Sequence, residues 1–217
     1  MADRYPGYDV LNKRNSMSWN DQTRAVIDRR MAIDPGKHEF FTAEEWPTLC
    51  AICARIVPQP AGRAVPAPVA AMVDEKLSAN NGDGYRDARL PPMRDAWRRA
   101  LAAIDEEAKS RYGRRFHELG GLLQDDLLTA IQNGDVLGKA WRDLPAKLFF
   151  QKRLLHDIVS SYYAHPTAWS EIGFGGPASP RGYVRLAVDR RDPWEASEAR
   201  PGRAIRARAE NRRVDRR

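Results

Sequence analysis

The side chains that could do chemistry in this 217-residue chain fall into a few groups, and each can be weighed by type and spacing. Cys50-x-x-Cys53 puts two thiols on one face of a helix, which would suit a redox pair or half of a zinc site. Zinc needs four ligands, and the sequence holds no second cysteine pair and no closely spaced histidine pair. Haem attachment would need a histidine after Cys53, where Ala54 stands. The two cysteines therefore read as small buried hydrophobes. His38, His117, His156 and His165 occupy no H-E-x-x-H or comparable ligand spacing. His156 and Asp157 are adjacent on a helix and should point to different faces.

Consecutive carboxylates, Asp105-Glu106-Glu107 and Asp125-Asp126, lack the convergence on one substrate that acid–base catalysis needs, and they read as solvated charge. Gly173, Gly175 and Ala178 match the G-x-G-x-x-A form of a dinucleotide fingerprint. That fingerprint works only between a strand and a helix, whereas here a helix precedes it and Pro177 and Pro180 block one after it. No Gly-x-Ser-x-Gly elbow occurs either. The sequence thus assigns no catalytic, metal-ligating or cofactor-binding residue to this chain.

The elements that would position these groups are helical. Thr42 and Glu45 form a capping-box pattern ahead of "WPTLCAICARI", which runs until Pro58 and Pro60. Val69, Met72, Val73 and Leu77 share the face of a second helix after a proline-rich connector. Met93, Trp97, Leu101, Ile104, Ala108 and Tyr112 mark the clearest helix, closed by Gly113 as a left-handed cap. A fourth carries Leu123, Leu127, Leu128 and Ile131 up to Asn133-Gly134, and a fifth runs from Pro145 to Pro166. No sustained period-two alternation appears, so the fold class is all-α, an irregular or orthogonal bundle of about five to six helices.

Three regions follow: an extended arm over 1–40 that crosses another surface, a helical body over 41–196 ending in a Gly/Pro-rich segment, and an Arg-rich tail over 197–217. A composition 42% hydrophobic is enough for a core, and no run approaches the roughly 20 apolar residues of a membrane helix. The N-terminus has neither a basic region followed by an apolar one nor a twin-arginine motif. Residues 200–217 hold eight arginines against Glu210 and Asp215, so nearly all of the net charge of +7 lies in the tail. It lacks interleaved aromatics for base stacking and reads as solvated, with no specific nucleic-acid target.

The stretches "FFTAEEWPTLCAICARIVPQP", "RYGRRFHELGGLLQDDLLTAIQNGD" and "LFFQKRLLHDIVSSYYAHPTAWSEIGFGGP" resemble the gluconate 2-dehydrogenase subunit 3 family over about residues 40–180. The order F-x-x-E-E-W, R-I-V-P, Y-Y-A-H-P and W-x-x-I-G-F-x-G-P is the most specific part. The resemblance implies a small non-catalytic subunit that binds, stabilises or helps export a large flavin-dependent dehydrogenase of the glucose–methanol–choline type, often with a cytochrome c subunit. FAD would sit in that partner, with no cofactor in this chain. Family members commonly carry a twin-arginine signal. Its absence here implies either a cytoplasmic location or export to the periplasm with a signal-bearing partner. The alternatives are a self-standing metal or redox protein using Cys50 and Cys53, and an adaptor with an anion-binding tail.

The segment "HPTAWSEIGFGGPASPRGYVRL" packs glycine and proline around large rings. Rigid aromatics on such a scaffold have the character of interface anchors. The candidate partner interface is therefore Trp169, Phe174, Arg181, Tyr183 and Trp194.

Overall fold

The computed structural model describes residues 4–80, 82–179, 182, 192 and 194–213. Among these the regular structure is helical, with an isolated parallel bridge between Trp19 and Ser179. In chain order the α-helices are α1 (Asp21–Met31), α2 (Trp46–Ile56), α3 (Val69–Ser78), α4 (Met93–Tyr112), α5 (Gly121–Asn133), α6 (Ala146–Phe149), α7 (Leu155–Ala164), α8 (Pro166–Ile172) and α9 (Ala204–Asn211). The fold is all-α as the sequence indicates, with more helices than five or six. The expected fifth helix is α6 and α7 joined through a π-helical turn at Phe150–Leu154, followed by a separate α8. No helix among the described residues is long and apolar enough to cross a membrane.

The chain divides into two compact units. One unit comprises Asp34–Ala64 and Pro68–Tyr162. The other comprises Met1–Ile33, Val65–Ala67 and Tyr163–Arg217, so both chain ends belong to the same unit.

In the first unit a capping box precedes α2. The Thr42 hydroxyl accepts the Glu45 N–H at 3.2 Å and the Glu45 carboxylate accepts the Thr42 N–H at 2.9 Å, which satisfies donors that a helix start leaves orphaned. Trp97 of α4 lies at the centre, fully buried, with Phe41 and Phe149 edge-on at 6.1 and 5.5 Å. Leu49, Ile52, Val73, Leu101, Leu127 and Ile158 of the same unit are buried as well, each contributing about 1.5–3 kcal/mol by leaving water. Gly113 and Gly134 end α4 and α5 with φ of 73° and 86°, the left-handed geometry that glycine adopts without penalty.

Charge inside this unit is used to tie backbone. The buried Asp74 carboxylate accepts the N–H groups of Glu39, Phe40 and Phe41. Asp105 and Glu107 are buried too, which corrects the reading of their cluster as solvated. Asp105 accepts from the Thr48 hydroxyl, the Phe116 N–H and the Arg115 guanidinium, while Glu107 accepts from Leu137 N, Gly138 N and Arg111. Helical spacing cannot reveal this, because each carboxylate serves a loop distant in sequence. Asp125 does stay exposed, in a bidentate pair with Arg55.

The densest of these groups sits past the π-turn. Asp157, 1% exposed, accepts from Trp97 Nε1 at 2.8 Å, Lys76 Nζ at 3.0 Å and the Arg153 guanidinium. Lys76 and Arg153 also bind Asp83, each at 2.6 Å. Burial alone would raise the Asp83 carboxyl, but hydrogen bonds and charge from Lys76 and Arg153 outweigh it and bring it down to about 2.

Candidate functional site

The Gly/Pro segment takes its place from α8. Pro166 fits the first helical position, where no N–H is missed, and the buried His165 caps the helix by accepting the Thr167 N–H on Nδ1 at 3.4 Å. The helix ends at Gly173 with φ 68°. A Cβ at Gly173 would lie 2.6 Å from the Tyr5 ring, so both conformation and space require glycine there. Gly176, with φ 67°, brings backbone against the Trp169 ring and Val10 in the same way.

Those contacts show what the segment does for the chain itself: the arm is packed onto it. Val10 N–H donates to Ser170 Oγ at 3.1 Å, and Trp19 Nε1 donates to the Pro177 carbonyl at 2.7 Å. The backbone pairs at one step, Asn20 N–H to Ser179 O and Ser179 N–H to Ser18 O, both at 2.9 Å. Tyr8, Val10, Trp19, Ile27, Trp169, Trp194 and Ala196 form one buried cluster. The Tyr8 hydroxyl donates to the Trp194 carbonyl at 3.0 Å. Irregular backbone is tolerated here because its polar groups are paired across chain segments.

At the centre of this packing is a lysine. Lys13 is 1% exposed and donates to Pro177 O at 3.0 Å and Ser18 Oγ at 3.3 Å, with its ammonium 5.4 Å from the Trp19 ring centre. Burial pulls it down to about 8 against the opposing charge of Asp192 and Glu195. A cation whose pKa is lowered on folding binds fewer protons folded than unfolded between about pH 8 and 10.5, so stability rises with pH in that window. Chemical unfolding at pH 7.5 and 9.5 should show wild type gaining on the order of 1–2 kcal/mol, and Lys13→Met showing no such gain.

The candidate anchors separate on this geometry. Trp169 and Trp194 are 4% and 8% exposed, so these two rings cover the chain's own core. Trp169 also donates from Nε1 to the Tyr163 carbonyl. Phe174 is 44% exposed and stands edge-on to Trp169 at 5.9 Å, with Tyr163 and Ile172 also exposed nearby in sequence. Arg181 and Tyr183 lie outside the described residues. Sequence reasoning missed the arm's Tyr8, Val10 and Trp19 as the partners of this segment. The only local signal was their aromatic and apolar type in an otherwise polar leader.

The other reactive groups are occupied structurally. Cys50 is half-buried and Cys53 buried, both as free thiols, and burial pushes both pKa values up, against the thiolate that nucleophile or ligand chemistry needs. His38 stacks on Trp46 at 4.5 Å, and His117 Nδ1 meets the Thr48 hydroxyl at 3.2 Å. Asp83, His156 and Asp157 place ligand atoms within 4.8 Å of one another, but Lys76 and Arg153 already supply the positive charge there. His156 is exposed beside the buried Asp157, yet its Nδ1 comes within 3.4 Å of that carboxylate.

A family model described as gluconate 2-dehydrogenase subunit 3 matches residues 43–176. The chain belongs to this family. No curated protein and no solved structure gave a match. The subunit 3 region runs from the capping box through the turn at Gly176. The arm and the residues after 176 fall outside it, although they build the cluster around Trp169.

Proposed function

We propose that this subunit 3 protein is the small, non-catalytic member of an oxidoreductase complex whose large partner carries FAD and oxidises a sugar or sugar acid. Its task is to bind, stabilise or help mature that partner, and a cytochrome c subunit fits as a third component. The observation that carries this reading is the family match over 43–176. It is supported by the employment of the buried carboxylates and of the capping His165 in holding backbone, and by thiols that burial disfavours as thiolates. Among the described candidates Phe174 is the most open to a partner, and the proposed interface comprises it with Arg181, Tyr183, Trp169 and Trp194, the two tryptophans being packed against the chain's own core. The complex either remains in the cytoplasm or reaches the periplasm through a signal on the large subunit.

The test is to tag the chain in its native host, purify it gently, and record the visible spectrum and the masses of co-purifying chains. A stoichiometric large subunit with flavin absorption is the expected result. Phe174→Ala should reduce its recovery at least tenfold under the same wash, as truncation of a central aromatic anchor does. A lone, colourless chain would overturn the reading as a stable subunit and leave a transient role in the partner's maturation.

A further inference from the structure

The tail carries more structure than its composition suggests. After 194 the chain returns to the arm, and α9 buries Ala207 and Asn211. Asn211, fully buried, works as a three-way clasp: its amide accepts the Ser197 N–H at 2.7 Å and donates to the carbonyls of Ser197 and Pro6. Ala199 N–H donates to the Arg4 carbonyl at 2.8 Å. These bonds fix one wall of a pocket of about 190 Å³ lined by Ser197, Glu198, Arg200, Arg203, Arg206 and Glu210.

Charge within this pocket is unevenly matched. Glu198 is paired with Arg4 at 2.6 Å, and Glu210 with Arg206 at 2.8 Å. Among the described residues Arg200 and Arg203 have no carboxylate partner. Two guanidinium groups, always charged and shaped for paired hydrogen bonds to oxyanions, thus face one small cavity without a counter-charge. The first turn of α9 opens beside it without a side-chain cap, which adds to the positive field but would not make a site alone.

From this arrangement we infer that the pocket formed where the two chain ends meet binds a phosphate monoester group, whose two negative charges match the two uncompensated arginines. The cavity is large enough for a phosphate with a short substituent and too small for an extended polyanion. The inference does not depend on the dehydrogenase partner.

The experiment is a titration of the full-length chain with inorganic phosphate and with glycerol phosphate at fixed ionic strength, read by amide and guanidinium NMR shifts. A parallel sedimentation assay uses vesicles containing phosphatidic acid. Saturable shifts confined to 197–210 are expected, with affinity reduced about tenfold or more in Arg200→Ala/Arg203→Ala. Arg208→Ala/Arg213→Ala, which removes equal charge from the same tail outside the pocket, should stay within about twofold. Binding of soluble phosphate would assign the site to a small molecule. Binding of vesicles alone, lost in Arg200→Ala/Arg203→Ala, would assign it to a lipid headgroup carrying the same group. Unsaturable shifts, or equal losses in the two double variants, would reduce the pocket to diffuse tail electrostatics and overturn the inference.

Discussion

Asp157→Ala is expected to destabilise the folded chain by about 3–5 kcal/mol, the cost of leaving the Trp97 donor unmet and the buried Arg153 with Asp83 in place of two carboxylates. Arg153 is 9% exposed at its side chain and takes both oxygens of Asp157, Lys76 takes one, and Trp97 Nε1 depends on the same carboxylate. Removing it strands the Trp97 indole N–H and leaves Lys76 and Arg153 to share Asp83, and the cavity adds to the loss. For a chain of this length the melting temperature should fall by roughly 6–20 °C. Asp157→Asn should cost less, since an amide can still accept from Trp97. Arg153→Met in the Asp157→Ala background should recover part of the loss, because an apolar side chain there no longer needs a partner. Urea unfolding followed by tryptophan fluorescence reads all three variants. A loss below about 1 kcal/mol for Asp157→Ala would mean that water screens the cluster as it would a surface pair.

Deleting residues 1–20 should unfold the C-terminal segment locally while leaving the first unit intact. The deletion removes Tyr8, Val10 and Trp19 from the buried cluster, together with the backbone partners of Ser179 and the Pro6 acceptor of Asn211. Burial of Trp19 alone is worth about 3–5 kcal/mol by the usual cost of truncating a large aromatic. Hydrogen exchange over 166–179 and 194–213 is expected to accelerate about a hundredfold or more, with α4 and α5 changing by less than about threefold. Uniform acceleration across the chain would instead mean that the two units unfold as one. Unchanged protection would mean that the arm adds nothing to the segment it covers.

What the sequence discloses and what it hides divides along contact distance. The capping box at Thr42 and Glu45, the left-handed glycines at 113 and 134 and the stripe through Trp97 are set by neighbours within a few residues, and each appears in the structure where spacing puts it. The pairing of Trp19 with Pro177 joins residues 158 apart, and no local period encodes it. Buried charges were unreadable for a related reason. Lys13, Asp74, Asp105 and Glu107 look like solvated residues until the loops they hold are brought to them. Arg153 and Asp157 stand four apart on one helix face, a hint of pairing, but nothing in that spacing shows that the pair is buried. The rings on the Gly/Pro scaffold were legible by type, but the surroundings of each ring were not. Whether a ring beside glycine and proline faces a partner or its own chain depends on what lies over it, and here the arm lies over Trp169 but leaves Phe174 half-open.

The pairing of the arm with residues near the far end of the chain also fixes an order of events at the ribosome. Trp19 emerges early, yet its acceptor at Pro177 is made 158 residues later, a delay of roughly 8–30 s at 5–20 residues per second. The first unit has all of its own residues by Tyr162 and is free to collapse during that interval. The arm, with its rings and its lysine, must wait in the open until Pro177 is made before it can be sealed in place.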